Sequence, residues 1–202
     1  MCRAHGVPGR FLPQLWVNAQ PVPRFYPNAV TLSASDDDLA EQRSAIELLV
    51  ASNLPTRWAV KDSFARLDLT RQGFEVLFEA SWIRGAWTGP APATDIVWSR
   101  ETAGGDGLPW DDANFALFRG RRGFQVVAGG MLYRAAGVVG LSNVVAESAD
   151  AVTVWRSLAV LASQAFPRLP LVGYESGGEL QAALDAGFEI GDPLRVWVRS
   201  GG

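Results

Sequence analysis

The chain has 202 residues, 48% of them hydrophobic and only 19% charged, with eight tryptophans. That composition excludes intrinsic disorder and allows a full core, as one domain or two small ones. A formal charge of −3 and a pI near 5.2 give no electrostatic reason to expect nucleic acid as a partner.

Eighteen Lys and Arg residues include a single lysine, Lys61, a bias typical of GC-rich bacterial coding. One cysteine, Cys2, permits no internal disulfide and is natural for a cytoplasmic protein. The first residues lack the apolar run of a signal peptide. Residues 123–145 are the most apolar stretch, yet Arg134 and the glycines at 129, 130, 137 and 140 interrupt them, so a buried hairpin is expected rather than a membrane span.

Residues 1–29 hold five prolines and read as an extended arm pinned by Trp16, Phe25 and Tyr26. Val30–Leu32 is a short strand. A helix capped by Ser35 or Asp36 follows, with Leu39, Ile46, Leu49, Val50 and Leu54 at helical spacing; Pro55 ends it. Trp58–Lys61 is strand-like, and Asp62 caps a short helix bearing Phe64 and Leu67. Gly73 closes that helix in the left-handed conformation, and Glu75–Arg84 alternates as a strand.

Residues 85–107, rich in proline and glycine, form the boundary between segments 30–105 and 106–202, with a brief strand at Asp95–Ser99. Beyond Trp110-Asp111-Asp112 the spacing predicts strands at Phe115–Phe118, Gln125–Tyr133 and Val138–Val145, with turns at 120–123 and 134–137. A helix over Ala151–Phe166, capped by Ser148 or Asp150, leads to a strand Leu171–Tyr174. A helix Glu179–Asp185, Gly187-Phe188 and a strand Arg195–Arg199 complete the chain.

Residues 30–84 repeat the order of the C-terminal part. Gly73-Phe74 and Gly187-Phe188 stand 114 positions apart, and Trp82 and Trp197 stand 115 apart, which argues for an internal half-repeat.

The order strand–strand–helix–strand–helix–Gly-Phe–strand over 125–198 resembles the second half of the GNAT superfamily of acyl-CoA-dependent N-acetyltransferases. The resemblance implies an α/β GNAT-like mixed sheet with helices on both faces. It also implies acetyl-CoA as co-substrate and an amine acceptor, small molecule or peptide; the charge balance and the interrupted apolar stretch give no reason to expect nucleic acid or a membrane as partner. In such folds two parallel strands part. The pantetheine arm lies along the first, here Leu141, Ser142, Asn143, Val144 and Val145. The pyrophosphate sits on the loop and helix start, here Ser148, Ala149, Asp150 and Ala151, where orphan N–H groups favour an anion.

Two departures from the family stand out. The loop lacks the family's glycines and arginine and carries Glu147 and Asp150, leaving Arg121, Arg122 or Arg156 to offset their charge. The family's Asn and Tyr in the last helix are replaced by Ser176 and Ala183. Substitutes are Glu175 as base, Tyr174 as acid towards sulfur and Asn143 as a polarising amide, with Asp111 and Asp112 able to attract a cationic amine. Each also has a structural reading, as core, cap or bulge residue. A GNAT-derived binding or regulatory module that has lost CoA is the second functional reading. No metal-ligand cluster is expected. A homodimer is allowed if apolar surface at Trp87 or Trp98 is exposed.

Overall fold

A computed structural model describes residues 2, 6–22, 26–52, 57–87, 89–104 and 108–200. Phe25, Leu54 and Pro55, which the sequence assigned to the arm and to the first helix's end, lie outside them. The chain forms two compact units, one of Met1–Ala80 with Asp192–Gly202 and one of Ser81–Gly191. This is not the division at 105/106. Strands Glu75–Gly85 and Glu189–Ser200 each begin in one unit and end in the other.

In the first unit, β1 (Arg10–Phe11) and β2 (Leu15–Val17) lie in the segment expected to be an arm. β2 pairs antiparallel with β3 (Ala29–Thr31). Leu15 and Val17 are buried, so the prolines delimit short strands rather than preventing them. α1 (Asp36–Ala51) follows, and β4 (Arg57–Asp62) lies parallel to β3, making a βαβ crossover. Ile46 packs with Leu15, Trp58, Val60 and Trp197, and Leu39, Leu49 and Val50 flank that cluster as their spacing predicts.

The hydrophobic stripe hides one polar member of α1, Gln42. It is fully buried, and its amide donates to the carbonyls of Gln14 (3.1 Å) and Ser33 (2.9 Å). Asp62 is buried too, accepting from Leu67 N (2.7 Å), Phe64 N and Thr31 Oγ1 (both 3.3 Å). It therefore caps as expected, but what it caps is a turn; the helix that follows is a single 3-10 turn at Thr70–Gln72.

In the second unit the strand order is β5 (Glu75–Gly85), β10 (Leu171–Glu175), β9 (Val138–Ala146), β8 (Gln125–Ala135), β7 (Phe115–Arg122) and β6 (Val97–Glu101). Only β9 and β10 run parallel, joined by α2 (Ala151–Ala165). The first hairpin turns at Gly123-Phe124, two residues later than expected, because β7 keeps pairing through Arg122↔Gln125. The second turns at Ala136-Gly137, both with positive φ, as a two-residue turn joining right-twisted strands requires.

α2 and α3 (Gly177–Asp185) pack on the sheet face that carries Ile83, Phe118, Leu132, Val139, Leu141 and Leu171. Trp155 and Leu158 of α2 fill the centre of that core. Gly130 is glycine for packing: a Cβ there would stand 2.7 Å from Leu158 Cδ1.

The mixed α/β architecture expected from the sequence is thus present in both units. Each unit also closes its sheet with a strand from the other sequence segment. β11 (Glu189–Ser200) pairs antiparallel with β4 from Arg57↔Ser200 to Asp62↔Arg195. β5 pairs antiparallel with β10 from Leu171↔Gly85 to Glu175↔Ser81. Leu171 stands 114 positions after Arg57, and Ser200 stands 115 after Gly85, so the two ladders share one register.

The helix ends match as well. Phe74 N donates to Leu69 O (3.2 Å) and Phe188 N to Ala183 O (3.1 Å), each after a glycine at positive φ, 78° at Gly73 and 105° at Gly187. Gly187→Ala is expected to cost about 1 kcal/mol, since a Cβ strains this backbone, and the denaturant midpoint should fall without a change of slope.

Candidate active site

β9 and β10 are bridged only at Leu171↔Val139 and Val172↔Gly140. Beyond those pairs they part, leaving the backbone of Leu141–Val145 unbridged to β10. A bulge in β9 assists the parting. Gly129↔Val145 and Met131↔Ser142 bracket it, so Asn143 and Val144 together oppose Gly130 alone. Asn143 carries the strain with φ 50°, a conformation asparagine tolerates better than most residues. Its side-chain amide lies 3.7 Å from Met131 Sδ. Asn143 is therefore a bulge residue of β9, the structural one of its two readings.

β10 ends at the open side of the gap with Tyr174 and Glu175. Tyr174 pairs with Trp82 across β5, and the rings meet edge to face, centroids 5.6 Å apart at 84°. Burial, and secondly the Glu175 charge, raise the Tyr174 phenol above its ordinary value, so it keeps its proton at neutral pH. Burial pushes the half-buried Glu175 carboxyl up to about 7, with the Glu179 charge adding to the shift.

Successive strand residues point to opposite faces. Gly173 abuts Ile83 on the helix-covered face. Tyr174 therefore points away from the helices, and Glu175 lies on their side, next to the first turn of α3. Tyr174 and Glu175 therefore stand on opposite faces of the sheet at the end of β10 that borders the gap, the phenol ring against Trp82 of β5. Trp82, which sequence reasoning singled out only as a repeat marker, is the side chain that fixes Tyr174.

The phosphate end is different in character. Asp150 is the N-cap of α2: its Oδ2 accepts from Thr153 N (2.8 Å) and Thr153 Oγ1 (2.5 Å). Those bonds hold its carboxyl below the usual range. The helix N-terminus thus already has an anion. Of the three arginines able to offset the acids, one touches the loop. Arg122 donates to Ser148 O (2.9 Å) and clamps Asp95 through two bonds of 2.6 and 3.0 Å. Arg121 engages Ser99 and Glu101, and Arg156 donates to Asp185 O at the end of α3. Ala149 and Ala151 bring no polar side chain.

Asp112 is structural, accepting from Asn114 N (2.8 Å), Asn114 Nδ2 (2.9 Å) and Tyr133 OH (2.9 Å). Asp111 is exposed on the same turn. Ser176 and Ala183 add no acid: Ser176 is the N-cap residue of α3, and Ala183 is buried. Trp87 and Trp98 are half-buried against the unit's core. Among the described residues no group of three His, Cys, Asp or Glu could hold a metal, and no helix is long and apolar enough to cross a membrane.

No protein-family model matches the chain, and no curated protein does. Solved structures do. A functionally unknown conserved protein of Staphylococcus epidermidis ATCC 12228 aligns over 97% of this chain and 96% of its own, at 8% identity and a TM-score of 0.66. A GCN5-related N-acetyltransferase from Kribbella flavida aligns over 99% and 93%, at 13% identity and a TM-score of 0.64. One from Sphaerobacter thermophilus aligns over 85% and 72%, at 10% identity and a TM-score of 0.56. The fold of this chain is that of the GCN5-related N-acetyltransferases, over nearly its whole length.

Proposed function

We propose that the protein is an N-acyltransferase that uses acetyl-CoA and carries its site in the β9/β10 gap. The observation that carries this reading is the parting of the strands after Gly140 and Val172, beside Glu175 and Tyr174. We also infer that residues 30–84 are a tandem half-repeat of the C-terminal half, on the shared ladder register and the matched Gly-Phe helix ends.

The residues present fit one part of the cofactor and not another. Backbone groups of Leu141, Ser142, Asn143, Val144 and Val145, unbridged to β10, suit the amides of a pantetheine arm. The start of α2 does not suit a pyrophosphate, because the Asp150 carboxylate already takes the Thr153 N–H there and Glu147 adds a second negative charge. Acetyl-CoA, when bound, supplies an activated acyl carbonyl. The chain's own residues then have separable tasks. Glu175, about half ionised at neutral pH, accepts the proton of the incoming amine. Tyr174, still protonated there, holds a proton for the departing thiolate. The amide of Asn143 and the β9 backbone orient the acyl group. The acceptor is an amine, of a small molecule or a peptide.

The second reading, a GNAT-fold binding module without CoA, is favoured by the Asp150 cap. Asp150→Ala separates the two. Loss of the cap should lower stability by about 1 kcal/mol. If the gap binds acetyl-CoA, removing the carboxylate should tighten that binding roughly three- to tenfold, in line with charge effects at helix ends. Calorimetry showing unchanged or absent binding in the variant would favour the binding module.

A further inference from the structure

The second unit holds a cavity of about 290 Å³ that lies apart from the β9/β10 gap. It is lined by Ala86 and Trp87, just past the end of β5, and by Leu169, Pro170 and Leu171 at the start of β10. Ser163, in the last turn of α2, and Arg168, in the turn after that helix, complete the lining. The ladder fixes its place. Leu171 is bridged to Val139 and to Gly85, and Pro170 O accepts from Val139 N (2.9 Å). The strands are held together at this end. Glu175 lies at the other end of β10, about 13 Å away at the rise of a strand.

That lining is apolar except at Ser163 and Arg168. Ser163 Oγ donates to Val160 O (2.7 Å), so its proton is engaged within the helix. Arg168 is the one charge among the described lining residues, and no carboxylate stands with it. Its guanidinium has no hydrogen bond or ion pair among the described residues, and the buried indole N–H of Trp87 has no acceptor among them. Two lining residues thus keep an unengaged donor. The Arg168 backbone is left-handed, with φ 65°, a conformation that a β-carbon strains and glycine adopts freely. An arginine held where glycine would fit better points to a use for its side chain. The C-terminal carbonyls of α2 oppose an anion nearby, but they amount to about half an elementary charge against the full charge of the guanidinium.

We propose that this cavity binds a small carboxylate with an apolar body, the body against Trp87, Leu169 and Leu171 and the carboxylate at Arg168. A volume of about 290 Å³ lies at the lower end of small-ligand sites and admits a molecule of fragment size. The apolar lining takes the body out of water, and a guanidinium with no competing partner meets the carboxylate in its paired geometry. No bond is made or broken. The inference does not rest on the strand gap or on acetyl-CoA, since the two places lie at opposite ends of β10.

The test is saturation-transfer NMR on the full chain, with phenylacetate as the probe and phenylacetamide as its neutral counterpart. Phenylacetate should bind with a Kd between about 10 μM and about 1 mM, as expected of a ligand of this size. Phenylacetamide should bind roughly three- to tenfold more weakly, the worth of one charge-assisted bond at an exposed arginine. Arg168→Gln should bring phenylacetate down to the level of the amide and leave the amide unchanged. S-acetylpantetheine, added in excess, should displace neither probe. Four outcomes would each overturn the proposal: no transfer to phenylacetate at ~10 mM, amide and acid binding alike, undiminished phenylacetate binding in the variant, or displacement by S-acetylpantetheine.

Discussion

Glu175→Gln should lower acetyl transfer to an amine by roughly 10²- to 10⁴-fold, the range a positioned general base contributes. The loss should appear in kcat/KM, read from initial rates on a panel of primary amines. Glu175 carries a raised carboxyl pKa of about 7, so the wild-type rate should rise with pH through that value and level off above it. The variant should lose that limb along with the rate. Stability gives a second readout with a defined sign. The folded-state pKa lies above the unfolded value, so the protonated group's contribution is fully present below about 4.5 and is lost as pH rises through about 7. Glutamine cannot ionise, so the variant should gain stability relative to wild type between those values and keep that gain at pH 8. An unchanged rate in the variant would remove Glu175 from the reaction.

Trp155→Ala should be the most destabilising single truncation in the second unit, at about 3–5 kcal/mol. Trp155 is fully buried on α2, and its ring meets Phe188 edge to face at 5.3 Å and 71°. Phe188 in turn packs over Gly85, where a Cβ would stand 3.0 Å from the ring. One side chain therefore ties α2 and the Gly-Phe helix end to the strand that borders β10. Its removal leaves a cavity that two helices and a sheet cannot all collapse to fill. Chemical denaturation would give the figure, and a loss under 1 kcal/mol would contradict the packing described.

Much of the fold was legible because periodic patterns carry it. The α2 stripe of Trp155, Leu158, Ala159 and Ala162, the alternation along β8 and β9, and glycines at helix ends each have one common structural solution. The short strands at Leu15–Val17 were hidden because three residues between prolines have no period to read. The partnership of β5 with β10, and of β11 with β4, is a long-range choice that no local pattern encodes. Gln42 escaped notice for a related reason: a glutamine reads as surface until the carbonyls of Gln14 and Ser33 are placed above it.

The candidate site was legible only as positions: Glu175 and Tyr174 at the end of β10, and Asn143 on β9, lie where those two strands part. Their electrostatics were not legible, since burial sets them. Asp150 illustrates the limit best. Its acidity beside a helix start reads equally as a cap or as a repelled neighbour of a phosphate, and only the bonds to Thr153 distinguish the two.

In the proposed function the strand gap takes the pantetheine arm of acetyl-CoA while the start of α2 stays closed to the pyrophosphate. Calorimetric titration of acetyl-CoA and of S-acetylpantetheine into the full chain tests it most directly. Both ligands should bind, with affinities within about tenfold, a difference of roughly 1.4 kcal/mol. Absence of heat from either ligand at millimolar concentration would contradict it and leave an acyltransferase fold that binds something else.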